Sequence, residues 1–448
     1  MVLSLPEHVS EILRILTKAG HEAYAVGGCV RDTLLGRVPE DWDITTSARP
    51  DQVKKLFRRT IDTGIQHGTV TVMFGKDGFE VTTYRIDGEY EDGRHPKEVV
   101  FTPNLEEDLK RRDFTINAMA YHPDQGLVDL FGGNADLAEG IIRAVGTPEE
   151  RFQEDALRIL RAIRFAAQLG FTIEKKTLGA ISAFAERLKL VSKERIQVEL
   201  HKLLKSDHPE QFRLLYETGI TSILFPRFDE MMALPQHNPY HCYTVGEHTL
   251  KMLTYVEPDP LLRWCALLHD TGKTATHSTD SAGIDHFYGH GMASAIFSKD
   301  FLRELRFDND TIDAVFLLTK YHDYSFDLTK HNLRRAIYKV GNDLFPLLLK
   351  LVRADTMAKS DYAKERLLPK IDRLEELYAE IIRDNDCTDL KRLAVHGRDL
   401  IAAGMKPGPQ MGEVLNRLLM LVLEHPEYNT KETLMKYYAV QQREENDR

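Results

Sequence analysis

The run Val26-Gly27-Gly28-Cys29-Val30-Arg31-Asp32, followed by Glu40-Asp41-Trp42-Asp43, constrains this chain more than any other stretch. Tyr24-Ala25-Val26 reads as the end of a buried strand. Gly27-Gly28 permits backbone angles and close approaches that a Cβ forbids. Residues 29–35 read as a short helix with Gly36 suited to its C-terminal cap. The glycine pair therefore precedes a helix N-terminus, where free N–H groups attract phosphate. Residues 41–45 read as a strand, which puts Asp41 and Asp43 on one face and Trp42 on the other. Two adjacent carboxylates repel unless a cation lies between them, and hard oxygen ligands suit Mg²⁺. A lone Asp-x-Asp is more often a solvated surface pair, and a lone Gly-Gly says less still. In this order, they supply what metal-assisted displacement at a nucleotide phosphate requires.

Those residues resemble the signature of the DNA polymerase beta nucleotidyltransferase superfamily. More narrowly, they resemble the bacterial class II tRNA nucleotidyltransferases (CCA-adding enzymes) and the related poly(A) polymerases. Several later motifs extend the resemblance over most of the chain.

On strand 79–85, after a predicted Asp77-Gly78 hairpin turn, Glu80 faces the same way as Thr82 and Tyr84. Glu80 either joins Asp41 and Asp43 as a third carboxylate or is structural. Residues 86–98 are charged and glycine-bearing and read as a mobile loop; the resemblance implies that it switches C to A addition. Basic Lys110-Arg111-Arg112-Asp113 and Asn117 follow. Paired arginines suit phosphate through bidentate bonds. The resemblance implies that Arg111, Arg112, Asp113 and Asn117 hold the triphosphate and ribose, with Gly27, Gly28 and Arg31.

Residues 151–165 read as one arginine-rich helix, on which Asp155 and Arg158 are neighbours. By itself that is an ordinary intrahelical ion pair. The resemblance implies instead that Glu154-Asp155-x-x-Arg158 reads the incoming base without a template, with Arg161 and Arg164 nearby. From Arg158 to Lys205 there are 11 Lys or Arg against 4 Asp or Glu, a net of +7. The whole chain carries −10, which argues against gross nucleic-acid binding and for a local basic surface.

A third signal is the ordered set His248, His269-Asp270 and Asp355, with Gly272-Lys273 after the His-Asp pair and His286, His290 and His322-Asp323 between. It resembles an HD-domain phosphohydrolase core. Imidazoles and carboxylates from separate helices suit Ni²⁺, Co²⁺ or Mn²⁺ better than Mg²⁺. Glycines around 397–412 can present N–H groups to phosphates, though packing turns are the commoner explanation; the resemblance to the CCA-adding enzymes implies a tRNA-binding tail there.

The expected fold is α+β: a small mixed-sheet nucleotidyltransferase head (1–138), then an elongated all-α body. That body divides into a base-selecting, RNA-binding neck (139–225), an HD metal-binding domain (226–360) and a helical tail (361–448). The resemblance implies template-independent addition of CCA to tRNA 3′ ends from CTP and ATP by two-metal nucleotidyl transfer, with two Mg²⁺ on Asp41 and Asp43. Alternatives are an A-adding enzyme or poly(A) polymerase, an HD phosphohydrolase acting on RNA ends, and a non-catalytic RNA-binding regulator. No apolar run approaches the roughly 20 residues of a membrane span, and residues 1–6 are too short and uncharged for a signal peptide. The four dispersed cysteines fit a reducing cytoplasm and exclude a compact cysteine zinc site.

Overall fold

The computed structural model describes residues 2–87, 99–324 and 327–446. They divide into two compact units, Met1–Pro226 and Arg227–Arg448.

In the first unit, α1 (Glu7–Lys18) buries Val9, Ile12, Leu13 and Leu16, which recur at helical spacing. Burying each is worth roughly 1.5–3 kcal/mol. β1 (Ala23–Val26) is buried along its whole length because strands flank it on both sides. The chain continues through α2 (Gly28–Leu34), β2 (Asp43–Thr46), α3 (Pro50–Leu56), β3 (Thr60–Gly64), β4 (Thr69–Phe74) and β5 (Asp77–Thr83). Then come the paired short strands β6 (Arg85–Asp87) and β7 (Val99–Phe101), α4 (Leu105–Lys110), β8 (Met119–His122) and β9 (Gly126–Asp129). Seven strands form one mixed sheet in the order β3-β4-β5-β2-β1-β8-β9. Within this sheet only β2 and β5 pair in parallel, and this pairing sets Asp43 directly beside Glu80.

The structure departs from two local expectations. β2 starts at Asp43, so Asp41 and Trp42 precede the strand. The β4–β5 hairpin turns at Gly75-Lys76, with Asp77 already paired to Phe74. Gly75 takes the left-handed conformation (φ +62°) that Asp-Gly was expected to supply. Of the switching loop expected at 86–98, Ile86 and Asp87 belong to β6, and residues 88–98 lie outside the described residues.

Helices follow: α5 (Gly133–Glu139), α6 (Pro148–Glu154) and α7 (Leu157–Leu169). The single helix expected over 151–165 is thus two. Asp155 takes extended angles (φ −142°, ψ 105°) between them, and its Oδ1 accepts the Leu157 N–H at 3.0 Å. A short acidic side chain competes with the helix for backbone N–H groups and starts a new helix instead.

The second unit is almost entirely helical, with one two-stranded ribbon, Ser278–Thr279 against Asp285–His286. Helix Pro260–Leu268, whose Trp264 is 1% exposed, packs against Val245–Leu253, His290–Glu304, Asn309–Tyr321 and Phe345–Met357. Toward the C-terminus, Leu400 joins Val414, Leu418, Val422 and Leu434 in a separate apolar cluster. No helix among the described residues is long and apolar enough to cross a membrane.

Candidate active site and a buried histidine–aspartate cluster

The glycine turn closes onto an arginine. Gly27 caps α2 at φ +84°, and a Cβ there would lie 3.0 Å from Arg112 Nη1. Arg112 is also close enough to Asp43 to favour its ionised form. Gly27, Arg112 and Asp43 therefore surround one small region at the ends of β1 and β2. Asp43 keeps accessible surface, yet the protein around it displaces water and pushes its carboxyl above the ordinary value; Asp41 adds repulsion. Burial and then Asp43 and Asp41 raise Glu80 in the same way. Three mutually repelling carboxylates form a site that a divalent cation would relieve.

Behind it lies a polar network. Asp108 is fully buried and takes Arg111 at 2.7 Å, Arg112 at 3.4 Å and the Thr45 hydroxyl at 3.0 Å. Burial alone would raise its carboxyl, but the two guanidiniums hold it below the usual range. Arg31 bonds both oxygens of Asp32 at 2.9 Å and donates to Asn117 Oδ1 at 2.6 Å. Asn117 Nδ2 donates to Asp113 at 3.1 Å, and Arg161 closes the chain on Asp113 at 2.6 Å. Phe165 stacks under three guanidiniums, those of Arg31, Arg161 and Arg164, at 5.0, 5.4 and 3.9 Å. Sequence reasoning passed over Phe165; an aromatic one residue after Arg164 and four after Arg161 was the available signal.

Asp155 and Arg158 do not pair with each other. Asp155 takes Arg195 at 2.7 Å. Arg158 bonds Glu154 at 2.5 Å and donates to the Arg111 carbonyl at 2.8 Å, which ties α7 to the end of α4. Arg164 turns inward to Glu199, and this pair is almost wholly buried. Arg158, Arg161, Arg164 and Arg195 thus answer internal carboxylates, so the +7 count overstates the basic surface.

The second unit gathers the expected His248, His269, Asp270 and Asp355 in one buried place. His248 Nε2 lies 2.9 Å from Asp355 and 3.8 Å from Asp270; His269 Nε2 lies 3.1 Å from Asp270. Lys273 reaches Asp270 at 2.8 Å, and Lys359 reaches Asp355 at 2.6 Å. His290 and His322 also converge on Asp270, whereas His286 pairs with Asp280 at the surface. His269 Nε2 and both Asp270 oxygens are buried without an aligned hydrogen-bond partner among the described residues. Buried imidazole and carboxylate donors left without aligned hydrogen bonds fit a metal ion.

Three family models match the chain: "Poly A polymerase head domain" at residues 23–143, "Probable RNA and SrmB- binding site of polymerase A" at 170–232, and "tRNA nucleotidyltransferase domain 2 putative" at 293–438. A CCA-adding enzyme of Levilactobacillus brevis is 39% identical over 438 residues, 96% of each chain. One of Pediococcus pentosaceus is 34% identical over 98% of this chain and 99% of that one. Among solved structures, the Bacillus stearothermophilus CCA-adding enzyme in complex with CTP matches with a TM-score of 0.71 at 30% identity, covering 97% of this chain and 98% of that one. The Thermotoga maritima CCA-adding enzyme complexed with tRNA shares the fold at a TM-score of 0.57 and 21% identity.

Proposed function

The chain belongs to the family of the class II CCA-adding enzymes, and on that premise we propose that it adds C, C and A to tRNA 3′ ends from CTP and ATP without a template. The observation that carries this reading is the register that sets Asp43 beside Glu80, with Arg112 against Gly27. Asp41 and Asp43 would hold two Mg²⁺. Those ions, when bound, would supply Lewis acidity, one toward the attacking 3′-hydroxyl and the other toward the departing pyrophosphate.

The remaining work falls to the chain's own side chains. Arg112 and Arg111, fixed on Asp108, would clasp the triphosphate where Gly27 and Gly28 leave the backbone bare. Asn117, held between Arg31 and Asp113, would meet the ribose. Asp155 and Arg158 would read the base: a carboxylate accepts and a guanidinium donates on the Watson–Crick edges of C and A. Their partners Arg195 and Glu154 fix both orientations, so the pair is rigid before nucleotide arrives. Arg161 and Arg164 would act one step back, through Asp113 and Phe165. Buried free thiols at Cys29, Cys265 and Cys387 favour a reducing, cytoplasmic setting.

The test uses purified protein, tRNA lacking its 3′ end, each NTP alone and all together, read on a sequencing gel. C, C, A in order is the expected product; A alone or a long A tail would assign the chain to the A-adding or poly(A) branch instead.

A second reading is favoured by the buried cluster. We propose that His248, His269, Asp270 and Asp355 form an HD-type site for a transition metal such as Ni²⁺, Co²⁺ or Mn²⁺. Its substrate would be a phosphate ester at a damaged RNA end. Hydrolysis of 2′,3′-cyclic nucleotides or 3′-phosphorylated RNA across a metal screen tests it, and no turnover with any metal leaves the site without that activity.

A further inference from the structure

Three half-exposed tyrosines of the second unit gather on one surface: Tyr240, Tyr255 and Tyr362, which are 39%, 39% and 42% exposed. They come from the 238–243 loop, from just past helix Val245–Leu253 and from the first turn of helix Asp361–Arg383. Ser360, the cap of that last helix, ties it to the loop. Its N–H donates to the Tyr240 carbonyl at 3.0 Å, and its hydroxyl donates to the Pro239 carbonyl at 2.6 Å. The Tyr240 and Tyr362 rings then meet edge-on, 5.4 Å apart at 79°. Lys364 links the third ring to the loop, since its ammonium lies within electrostatic reach of both Tyr255 and Cys242.

Two of the tyrosines carry a cation from four residues away. Arg366 lies 3.5 Å over Tyr362, and Lys251 lies 5.2 Å over Tyr255. Neither cation makes an ion pair among the described residues. A tyrosine alone at a surface needs no explanation. Three together, beside cations answered by rings rather than by carboxylates, do. A ring's quadrupole neutralises no charge, so both cations keep theirs for an anion.

The loop has a second face. His241, the residue after Tyr240, lies edge-on to His248 at 5.3 Å, against the buried cluster. Tyr240 and Cys242 on either side of it are exposed. One loop thus covers the cluster with its inner face and carries a tyrosine on its outer one. It is held before any ligand arrives: Asn238 Oδ1 accepts the Tyr240 N–H at 3.0 Å. A platform already rigid loses little freedom when a planar ligand settles on it. Ring faces beside unanswered cations suit a nucleobase on the ring with its phosphate on the cation. An acidic peptide would meet the cations but leave the rings without a planar partner.

We propose that Tyr240, Tyr255 and Tyr362, with Lys251, Lys364 and Arg366, form a stacking platform for an unpaired RNA end, its bases on the rings and its phosphates on the cations. The proposal rests on the phosphohydrolase reading only for its purpose, which is to hold an RNA end near the cluster. Its readout is binding, so it can fail while hydrolysis stands.

A fluorescein-labelled single-stranded RNA hexamer, titrated into the full-length chain and followed by fluorescence anisotropy, tests this, with photo-crosslinked peptides mapped by mass spectrometry. Tyr240→Ala and Tyr362→Ala should each weaken binding by roughly 5- to 100-fold. Tyr362→Phe keeps the ring and should bind as the wild type does. Tyr362→Leu replaces Tyr362→Ala if circular dichroism shows the latter unfolded. Lys364→Gln should reduce the slope of log K against log salt by about 0.7, the loss of one phosphate contact. Crosslinks should fall within 239–243 or 361–366, and addition to tRNA should persist in both alanine variants. Unchanged binding in both, with crosslinks confined to the first unit, overturns the platform and leaves the tyrosines as a surface for another protein. Equal loss of hexamer binding and of addition also overturns it, by making the tyrosines part of tRNA docking for the head. Hydrolysis of 2′,3′-cyclic nucleotides, assayed alongside, reports on the cluster separately: its absence with tyrosine-dependent binding intact would sustain the platform and count against the phosphohydrolase reading alone.

Discussion

Asp43 and Asp270 are both crowded carboxylates, and the two units treat them in opposite ways. Asp43 stands at the open end of a strand, with Glu80 and Asp41 beside it and Arg112 as its cationic neighbour. Asp270 is 1% exposed and ringed by four histidines and a lysine. An open set of oxygens suits a hard ion, whereas a closed, mostly nitrogen set suits a softer one. The difference lies in solvent access more than in charge.

The comparison can be broken at its strongest point first. Asp43→Ala should reduce nucleotide addition by at least about 10³-fold, roughly 4 kcal/mol, while the protein stays folded. Near-normal incorporation by a folded variant would remove the head's carboxylates from the chemistry. Asp270→Ala should leave addition intact, since the two sites lie in different units; loss of addition in a folded variant refutes their independence.

Stability separates the two kinds of buried charge. Arg164→Ala should destabilise the first unit by roughly 3–5 kcal/mol in urea unfolding, because it strands Glu199. A change within experimental scatter would mean that the pair is easily rehydrated. Co²⁺ at about 100 times its Kd should stabilise the second unit by roughly 2.7 kcal/mol, and Mg²⁺ should do far less. Equal effects of the two ions would erase the contrast between the sites.

Smaller effects sharpen it. Arg158→Ala should alter the preference for CTP and ATP over UTP and GTP by roughly 10- to 100-fold, the cost of a charged hydrogen bond. Retention of the wild-type preference would make Arg158 a link between α7 and Arg111 only. Least of all, brief alkylation at pH 8 should label Cys242 alone in the folded chain. Burial pushes Cys29 and Cys387 up to about 11 and Cys265 further, and only Cys242 is exposed. Rapid labelling of Cys29 would show the active-site end of β1 and β2 to be open.

Much of this was legible in the chain itself. Gly27-Gly28 before a helix, Asp43 on a strand, paired arginines after Lys110 and ordered His and Asp residues are local patterns, and each is governed by local backbone rules. Periodicity could not show that α6 and α7 part at Asp155, because an Asx turn and a helix-borne acid look alike when written as residues. Nor could it show that Arg158, Arg161, Arg164 and Arg195 face inward, since a residue count carries no direction.

What the sequence determined by itself, then, is which groups are present and which lie on one strand or one turn: the glycine turn, the acidic pair, the His-Asp step. What only the tertiary structure decided is which distant groups share a place. Asp43 meets Glu80 through a parallel pairing across 37 positions, and His248 meets Asp355 across 107. Such contacts are set by the packing of whole elements, where apolar burial outweighs any local preference, and no short stretch of the chain encodes them.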